Sequence, residues 1–418
     1  MSFDAPPGPH DNPIAFGQRV QIHRTRRGMT REQLAGLLGH HPSWVKKIET
    51  GSMRMPRLPE ILRIAQALRI RRLDDLVGDM GAEPHTDLFL GPDHDRLAAV
   101  RTALASYPPP GTREAPSPEF LRAALDSAWR ARHGAPDHRE VIGSLLPGLI
   151  RDTQLAVRQA DTAAERRAAL ALQAEAFHLA QFFVAYQPDP SLLWRVAERG
   201  TAAAHESEDP HAIGVAAWLS AQAHRDSGPG RYDEADEVVR QALHLLEPNL
   251  DRAPQHVQAL VGALRAEAGL TAAKRRETGA AWGWWERADQ IAQRLPADYF
   301  HPITSFGRAL MGAHGVSVAV ELHSGGEAAR QAARAEAATI PSRPRRARHR
   351  VEQARAYHLD GQAEAALTTL QQAHAAAPDT TRYNGFARVI VLEETTSRAP
   401  ERRRLASRLA VDLGLLAA

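Results

Sequence analysis

The sequence contains no cysteine and only three lysines. Its 418 residues include 52 Lys/Arg and 49 Asp/Glu, so arginine supplies almost all of the positive charge. Without cysteine, disulfide bonds and thiolate chemistry are excluded, and the composition suits a reducing cytosol. No run of about 18 apolar residues is present, which predicts no membrane span. The N-terminal segment MSFDAPPGPHDNP lacks a basic stretch followed by an apolar run, so we expect no secretory signal.

Motifs of common enzyme classes are also missing. The sequence has no Gly-x-x-x-x-Gly-Lys phosphate loop and no Gly-x-Ser-x-Gly elbow. Its 20 histidines do not follow a metal-binding spacing: His205-Glu206 has no second histidine four positions after the first. We therefore expect a protein that is not an enzyme and binds neither a metal nor a cofactor.

The chain is long enough for at least two domains, and its charge is unevenly distributed. Residues 14–78 hold thirteen Lys/Arg and five Asp/Glu, a balance of +8, whereas the rest holds 39 and 44. A small basic module on a mildly acidic body is typical of a protein that binds a polyanion and has a separate second domain. Chance clustering is the alternative.

Helix signals divide the basic module into short segments. A first helix over Ile14–Arg27 would end at Gly28, and Thr30 with Gln33 forms a capping box that begins the second. Leu34, Ala35, Leu37 and Leu38 give that helix an apolar face. Gly39 predicts a turn, and Pro42 predicts the start of a third helix that ends at Gly51, with Val45 and Ile48 facing inward. Two further helices are predicted over Leu58–Leu68 and Leu73–Val77.

This arrangement resembles the Cro and phage-repressor type of helix-turn-helix, the xenobiotic-response-element-like (XRE) family. The resemblance covers residues 14–78 and is carried by Leu34-Ala35, Gly39, Val45 and the run Ile48-Glu49-Thr50-Gly51. It implies an all-α domain of five helices. Its third helix would enter the major groove of double-stranded DNA.

The resemblance assigns roles to individual residues. Ser43 and Lys47 fall where side chains read bases, and Lys47 could donate to guanine O6 and N7. Backbone contacts are expected from Arg31, Trp44, Lys46, Arg54 and Arg57. Trp44 has a second interpretation, packing against the second helix. Arg19 and Glu49 match a structural pair that bridges helices one and three.

Three positions depart from the family pattern, among them Trp44, which is large where the family usually has a small residue. His41 replaces the usual Ser or Thr cap of the third helix, which predicts a less well anchored N-terminus. Pro42 replaces a polar residue that often reads a base. The operator sequence is therefore not predicted.

Residues 79–118 are rich in Gly and Pro and are predicted to be a linker, interrupted by a short helix near His94–Ser106. Residues 119–418 are predicted to be almost wholly helical and to form a tetratricopeptide-like helical-repeat domain for sensing and dimerisation. Two segments, 216–248 and 354–378, resemble tetratricopeptide repeats, with small residues and a turn glycine at similar spacing. The closing prolines Pro248, Pro296, Pro341 and Pro378 lie more than 34 residues apart, so the repeats are degenerate. A plain helical bundle is the alternative.

Two groups of side chains in the body have both a functional and a structural interpretation. Trp282, Trp285 and Tyr299, with neighbouring aromatics, are candidates for a ligand groove, although aromatic residues at this spacing are more often core. The arginines at 343, 345, 346, 348 and 350 are predicted to lie on a solvated helix face, with contact to DNA or an acidic partner as the alternative.

The sequence thus predicts a cytoplasmic, nucleoid-associated transcriptional regulator. It would bind an inverted-repeat operator as a homodimer, and a peptide, small molecule or protein bound to the repeat domain would modulate it. The layout resembles regulators of actinobacteria and peptide-sensing regulators of Gram-positive bacteria. The alternative is a scaffold for protein interactions that the helix-turn-helix only tethers to DNA.

Overall fold

The computed structural model describes residues 13–53, 56, 58–68, 70, 76, 93–107, 113–187, 189–335 and 340–416. The chain divides into two compact units, residues 1–86 and 87–418. Within the described ranges the chain is helical and has no strand, which confirms the predicted all-α class. No helix in these ranges is both long and apolar enough to cross a bilayer.

The first unit contains four described helices. They are α1 (Pro13–Arg26), α2 (Arg31–Leu38), α3 (Pro42–Glu49) and α4 (Leu58–Ala67). The predicted fifth helix, Leu73–Val77, lies outside the described residues except for Leu76, whose side chain is fully buried in the core of this unit.

Local hydrogen bonds set the start of α2 as the sequence predicted. The Thr30 hydroxyl accepts from the Gln33 amide at 3.2 Å, and the Gln33 side-chain oxygen accepts from the Thr30 amide at 2.8 Å. Both halves of the capping box are therefore present. Gly39, with φ of +69°, then allows the tight turn into α3.

The core of the first unit is a single apolar cluster. Leu34, Ala35, Leu38, Val45 and Ile48 are all buried, as predicted. The prediction for Leu37 is wrong, because its side chain is 63% exposed. On a helix with 3.6 residues per turn, this position lies roughly 100° from the centre of the buried stripe. Residue 37 therefore faces solvent.

Close packing of α1 on the end of α3 makes Gly17→Ala a strong perturbation. A Cβ at Gly17 would lie 2.1 Å from the Ile48 carbonyl oxygen and 2.8 Å from that of Glu49. These are backbone atoms, so relief requires the helices to separate, and we expect a loss of about 1–3 kcal/mol in unfolding free energy. Faster hydrogen exchange in α1 and α3 would report this loss.

Gly36→Ala is the matched control for that substitution. A Cβ at Gly36 in α2 meets nothing within 4 Å. Replacing a helical glycine by alanine in open space should stabilise the helix by about 1 kcal/mol. Equal exchange rates in the two variants would contradict the packing argument.

The second unit is an array of helices that pack on their neighbours in sequence. They are α5 (Leu97–Ala105), α6 (Pro118–Gly134), α7 (His138–Gln159), α8 (Ala163–Val184), α9 (Pro190–Ser207), α10 (Pro210–Asp226), α11 (Tyr232–Leu246), α12 (Gln255–Lys274), α13 (Thr278–Arg294), α14 (Arg308–Glu321), α15 (Gly325–Arg334), α16 (Arg343–Leu359), α17 (Ala363–Ala376), α18 (Pro378–Arg382), α19 (Gly385–Glu394) and α20 (Pro400–Asp412).

The helices form repeated hairpins, and the two predicted repeat segments correspond to α10–α11 and α16–α17. Gly361, with φ of +78°, makes the turn between α16 and α17. The array bends back on itself, because α6 contacts α16. There the His133 Nδ1 and Ser342 Oγ atoms are 2.9 Å apart. The second unit is therefore a curved array of helical hairpins.

The predicted linker 79–118 extends too far toward the C-terminus. The short helix predicted within it is present as α5, but its Leu97, Val100 and Leu104 side chains are fully buried in the main core of the second unit. Their burial makes α5 part of this unit. Ser117 then caps α6, accepting from the Phe120 amide.

Candidate functional site

The face of α3 opposite the core carries the side chains predicted to contact DNA. Ser43, Lys46 and Lys47 are exposed, whereas Val45 and Ile48 are buried. Residues 46 and 47 are separated by about 100° around the helix. The two amino groups are thus presented in different directions, which suits a base contact by one and a phosphate contact by the other.

The N-terminus of α3 is better anchored than predicted. His41 occupies the cap position, and its Nδ1 atom accepts from the Ser43 amide at 3.3 Å. The same nitrogen lies 2.9 Å from the Ser43 hydroxyl. An imidazole thus supplies the acceptor that a Ser or Thr usually provides. Pro42 follows at the first helical position, where its missing N–H leaves no bond unmade.

Glu49 is the centre of a buried ion-pair network. Its two carboxylate oxygens accept from Arg24 Nε at 2.5 Å and Arg24 Nη2 at 3.2 Å, while Arg31 Nε lies 2.7 Å from Oε2. The predicted pairing with Arg19 is wrong: within the described chain, Glu49 pairs with these two arginines only. The network ties α1 and α2 to the end of α3.

Arg31 therefore has a structural contact besides its predicted role at the DNA backbone. Its side chain is 37% exposed and that of Glu49 is 1% exposed. Only one edge of the guanidinium faces the buried carboxylate. The remaining N–H groups can still donate to a phosphate.

Trp44 packs within the first unit. Its ring stacks on that of His40 with centroids 4.0 Å apart and an interplanar angle of 9°. His40 Nε2 in turn lies 3.3 Å from the Glu60 carboxylate on α4. Trp44 is half-buried against the core. This favours the packing interpretation, and a contact with the DNA backbone stays a prediction. Arg54 and Arg57 lie outside the described residues.

The aromatic residues predicted to line a groove pack between helices. Trp282 and Trp285 form a T-shaped pair with centroids 5.9 Å apart, and Trp285 Nε1 donates to the Met311 carbonyl at 3.1 Å. Tyr299 is also half-buried against the main core. None of the three lines the cleft that α6, α8, α10 and the segment 300–303 form in this unit. The core interpretation is favoured, and their ligand role stays a prediction.

The prediction that the arginine run from 343 to 350 is a solvated helix face is wrong. All five side chains are at least partly buried. Arg343 donates to the Ala376 carbonyl, Arg350 to that of Gln372, and Arg348 to the Tyr186 hydroxyl at 2.8 Å. These arginines connect α16 to other helices of the array.

A cleft of about 1140 Å³ opens in the second unit, lined by α6, α8, α10 and the segment 300–303. On one wall, Glu175 accepts from both Nη atoms of Arg122, at 2.5 and 2.6 Å, and from Trp129 Nε1 at 2.9 Å. On the other, the Phe300 ring lies 5.1 Å from that of His133. Sequence reasoning missed this site, because its side chains come from four separated segments.

Two imidazoles in the cleft are uncharged. Burial, with the charge of Arg132 as a smaller cause, lowers the pKa of His133 to about 3. Burial, with nearby His211, lowers the pKa of His178 to about 3. Among the described residues, His178 Nε2 has no hydrogen-bond partner. An apolar cleft with a few such polar groups has the character of a small-ligand site.

Comparison with known proteins finds a family model for the first unit and solved structures of low identity. Residues 15–76 match the family model described as "Helix-turn-helix domain". Among solved structures, ComR from S. thermophilus in complex with DNA and its signalling peptide ComS is similar, at 14% identity over 60% of this chain and 97% of that chain, with a TM-score of 0.23. ComR from Streptococcus suis is 13% identical over 87% and 96%, with a TM-score of 0.24. The sequence matches no curated protein. The first unit thus carries a helix-turn-helix domain, and a helical array follows it.

Proposed function

We propose that the protein is a sequence-specific transcriptional regulator that reads DNA with α3. The observation that carries this proposal is the exposure of Ser43, Lys46 and Lys47 on one helix of a matched helix-turn-helix domain. The His41 cap and the Glu49 network hold that helix in place. The balance of +8 over residues 14–78 supplies the general attraction to phosphates that any such protein needs.

Each residue predicted to contact DNA has a specific role in the proposal. Lys47 donates to guanine O6 and N7, and Ser43, whose hydroxyl is both donor and acceptor, contacts a neighbouring base. Lys46 and Arg31 contact phosphates. Arg54 and Arg57 also contact phosphates of the DNA backbone. Trp44 supports α3 and lies along the sugar-phosphate edge of the DNA.

The protein acts as a homodimer in this proposal. One short helix makes few base contacts, and a two-fold axis doubles them on an inverted repeat. The tetratricopeptide-like array supplies the dimer contact and a sensor surface. A peptide, small molecule or protein bound there changes the spacing of the two DNA-binding domains, which couples two distinct sites.

Selection from a random DNA pool with purified full-length protein tests the proposal. We expect an enriched sequence with two inverted half-sites whose centres lie ~10 base pairs apart, or a multiple of that. No enrichment with the pure protein would contradict the regulator role. Enrichment only after addition of a partner protein would support the scaffold alternative. Enrichment of a single half-site would contradict the homodimer.

A further inference from the structure

Three arginines in the second unit have no acidic partner among the residues that the structure describes. Arg132 and Arg139 are 7% and 5% exposed, and Arg345 is partly buried. Among the described residues, no carboxylate oxygen lies within 4.0 Å of their guanidinium groups. Arg132 Nε and Nη1 and Arg139 Nε have no hydrogen-bond partner there. Arg24 and Arg225, which are buried to a similar degree, pair with Glu49 and Glu267.

Aromatic rings at the end of α8 and in α10 lie next to two of the guanidinium groups, and a backbone carbonyl of α8 accepts from the third. Arg132 Cζ lies 4.1 Å from the centre of the Phe182 ring, and Arg345 Cζ lies 5.8 Å from that of Trp218. Those two rings are themselves 6.1 Å apart. Arg139 Nη1 donates to the backbone carbonyl of Phe183, the residue after Phe182, at 2.6 Å.

Nearby carboxylates are already engaged. Glu267, which faces Arg345, is the ion-pair partner of Arg225. Asp379, which faces Arg139, accepts from the backbone amide of that residue at 3.4 Å and not from its guanidinium. Burial, followed by the charges of Arg345 and Arg139, lowers the pKa of Arg132 to about 9. Its guanidinium is therefore still charged at neutral pH.

A buried charge without a partner is unfavourable, and proteins normally compensate it with an opposite charge. We propose that Arg132, Arg139 and Arg345 form a binding site for an oxyanion, the carboxylate or phosphate group of a small ligand. We infer entry from the side of the cleft, whose lining includes Trp129 and His133, before and after Arg132 in α6, but not the three arginines themselves. Arginine suits this chemistry, since its fork of donors matches both groups.

This site goes beyond the proposed function, because anion binding by the second unit does not require DNA. Only an effect of the anion on operator binding would rest on the regulator role. Calorimetric titration and thermal unfolding without DNA therefore test the site alone. Loss of DNA binding with an intact anion response would count against the regulator and leave the site standing.

The experiment uses the full-length protein in Hepes and sodium chloride at constant ionic strength. Inorganic phosphate and acetate are added separately, so that a phosphate site and a carboxylate site are distinguished. We expect one of them to raise Tm by a few degrees, and Arg132→Met to weaken its binding about tenfold or more. Without added anion, the Tm of Arg132→Met should equal or exceed that of the wild type, because an unpaired buried charge is gone.

Arg408→Met removes an exposed arginine of the same unit and should respond to the anion as the wild type does. If Arg132→Met fails to fold, Arg345→Met and direct titration of the wild type test whether the anion binds at this site. The proposal is overturned if neither anion changes Tm or gives binding heat. It is equally overturned if the folded Met variants respond as Arg408→Met does.

Discussion

Lys47→Ala is expected to remove most of the preference for the operator over random DNA. Lys47 is exposed on α3, one turn from Ser43, where the proposed base contacts lie. A good side-chain contact to a base edge contributes about 1–3 kcal/mol of discrimination. The ratio of the two Kd values should therefore fall about 5- to 150-fold. Mobility shifts at fixed salt, with operator and scrambled duplexes, measure that ratio.

Two other basic residues are matched controls for Lys47. Lys46→Ala and Arg31→Ala should weaken binding to both duplexes by the same factor. Each should also reduce the slope of log K against log salt by about one counterion. If Lys47→Ala follows this uniform pattern and Lys46→Ala changes the preference, the two lysines have exchanged roles. If the slope is unchanged for Arg31→Ala, Arg31 does not contact a phosphate, and its role is the structural contact with Glu49.

Local chemistry explains why the sequence predicted α2 and α3 well. Thr30 and Gln33 satisfy backbone amides within one helical turn, so the capping box is readable from the residues alone. The cap at α3 was misjudged because the prediction considered only hydroxyl side chains. The imidazole of His41 presents an acceptor at a similar distance from the Ser43 amide, 3.3 Å. The hydrogen bond that caps α3 is local, but histidine is an unusual residue type at a helix cap.

The arginine run in α16 shows where local reasoning fails. A row of like charges normally indicates a solvated helix. The acceptors of these side chains are chiefly backbone carbonyl groups outside α16, such as those of Thr304 and Ala376 for Arg345 and Arg343. Nothing in residues 343–350 encodes which carbonyls the array brings near. For the same reason, the sequence did not predict the cleft or the Arg132 guanidinium, which has no acidic partner among the described residues.

The partner of Glu49 was assigned to the wrong arginine of α1 for a geometric reason. Arg19 and Arg24 are five residues apart, which places them about 140° apart around a helix. Only one of them can face α3. The structure places Arg24 there, where it also donates to the Met29 carbonyl at 2.7 Å. The prediction identified the carboxylate and both helices correctly but not the register of α1.

Glu49→Ala should unfold much of the first unit, because it removes the only acidic partner of Arg24 in the described chain. Arg24 is 7% exposed, so its charge would remain buried and uncompensated. Breaking a buried ion pair in this way costs about 3–5 kcal/mol. That is a large share of the ~5–15 kcal/mol that stabilises a typical domain. Hydrogen exchange in α1–α3 should accelerate, while exchange in the second unit serves as an internal reference.

Removing both partners separates a charge effect from a loss of packing. Arg24→Met combined with Glu49→Leu leaves no buried charge, and such replacements are often neutral or stabilising. The double variant should therefore recover most of the exchange protection that Glu49→Ala loses. Glu32→Ala, at an exposed position of α2, should change little. If the double variant is as unprotected as Glu49→Ala, the uncompensated charge of Arg24 is not the cause of the loss, and the missing contact with Arg31 or altered packing against α1 must account for it.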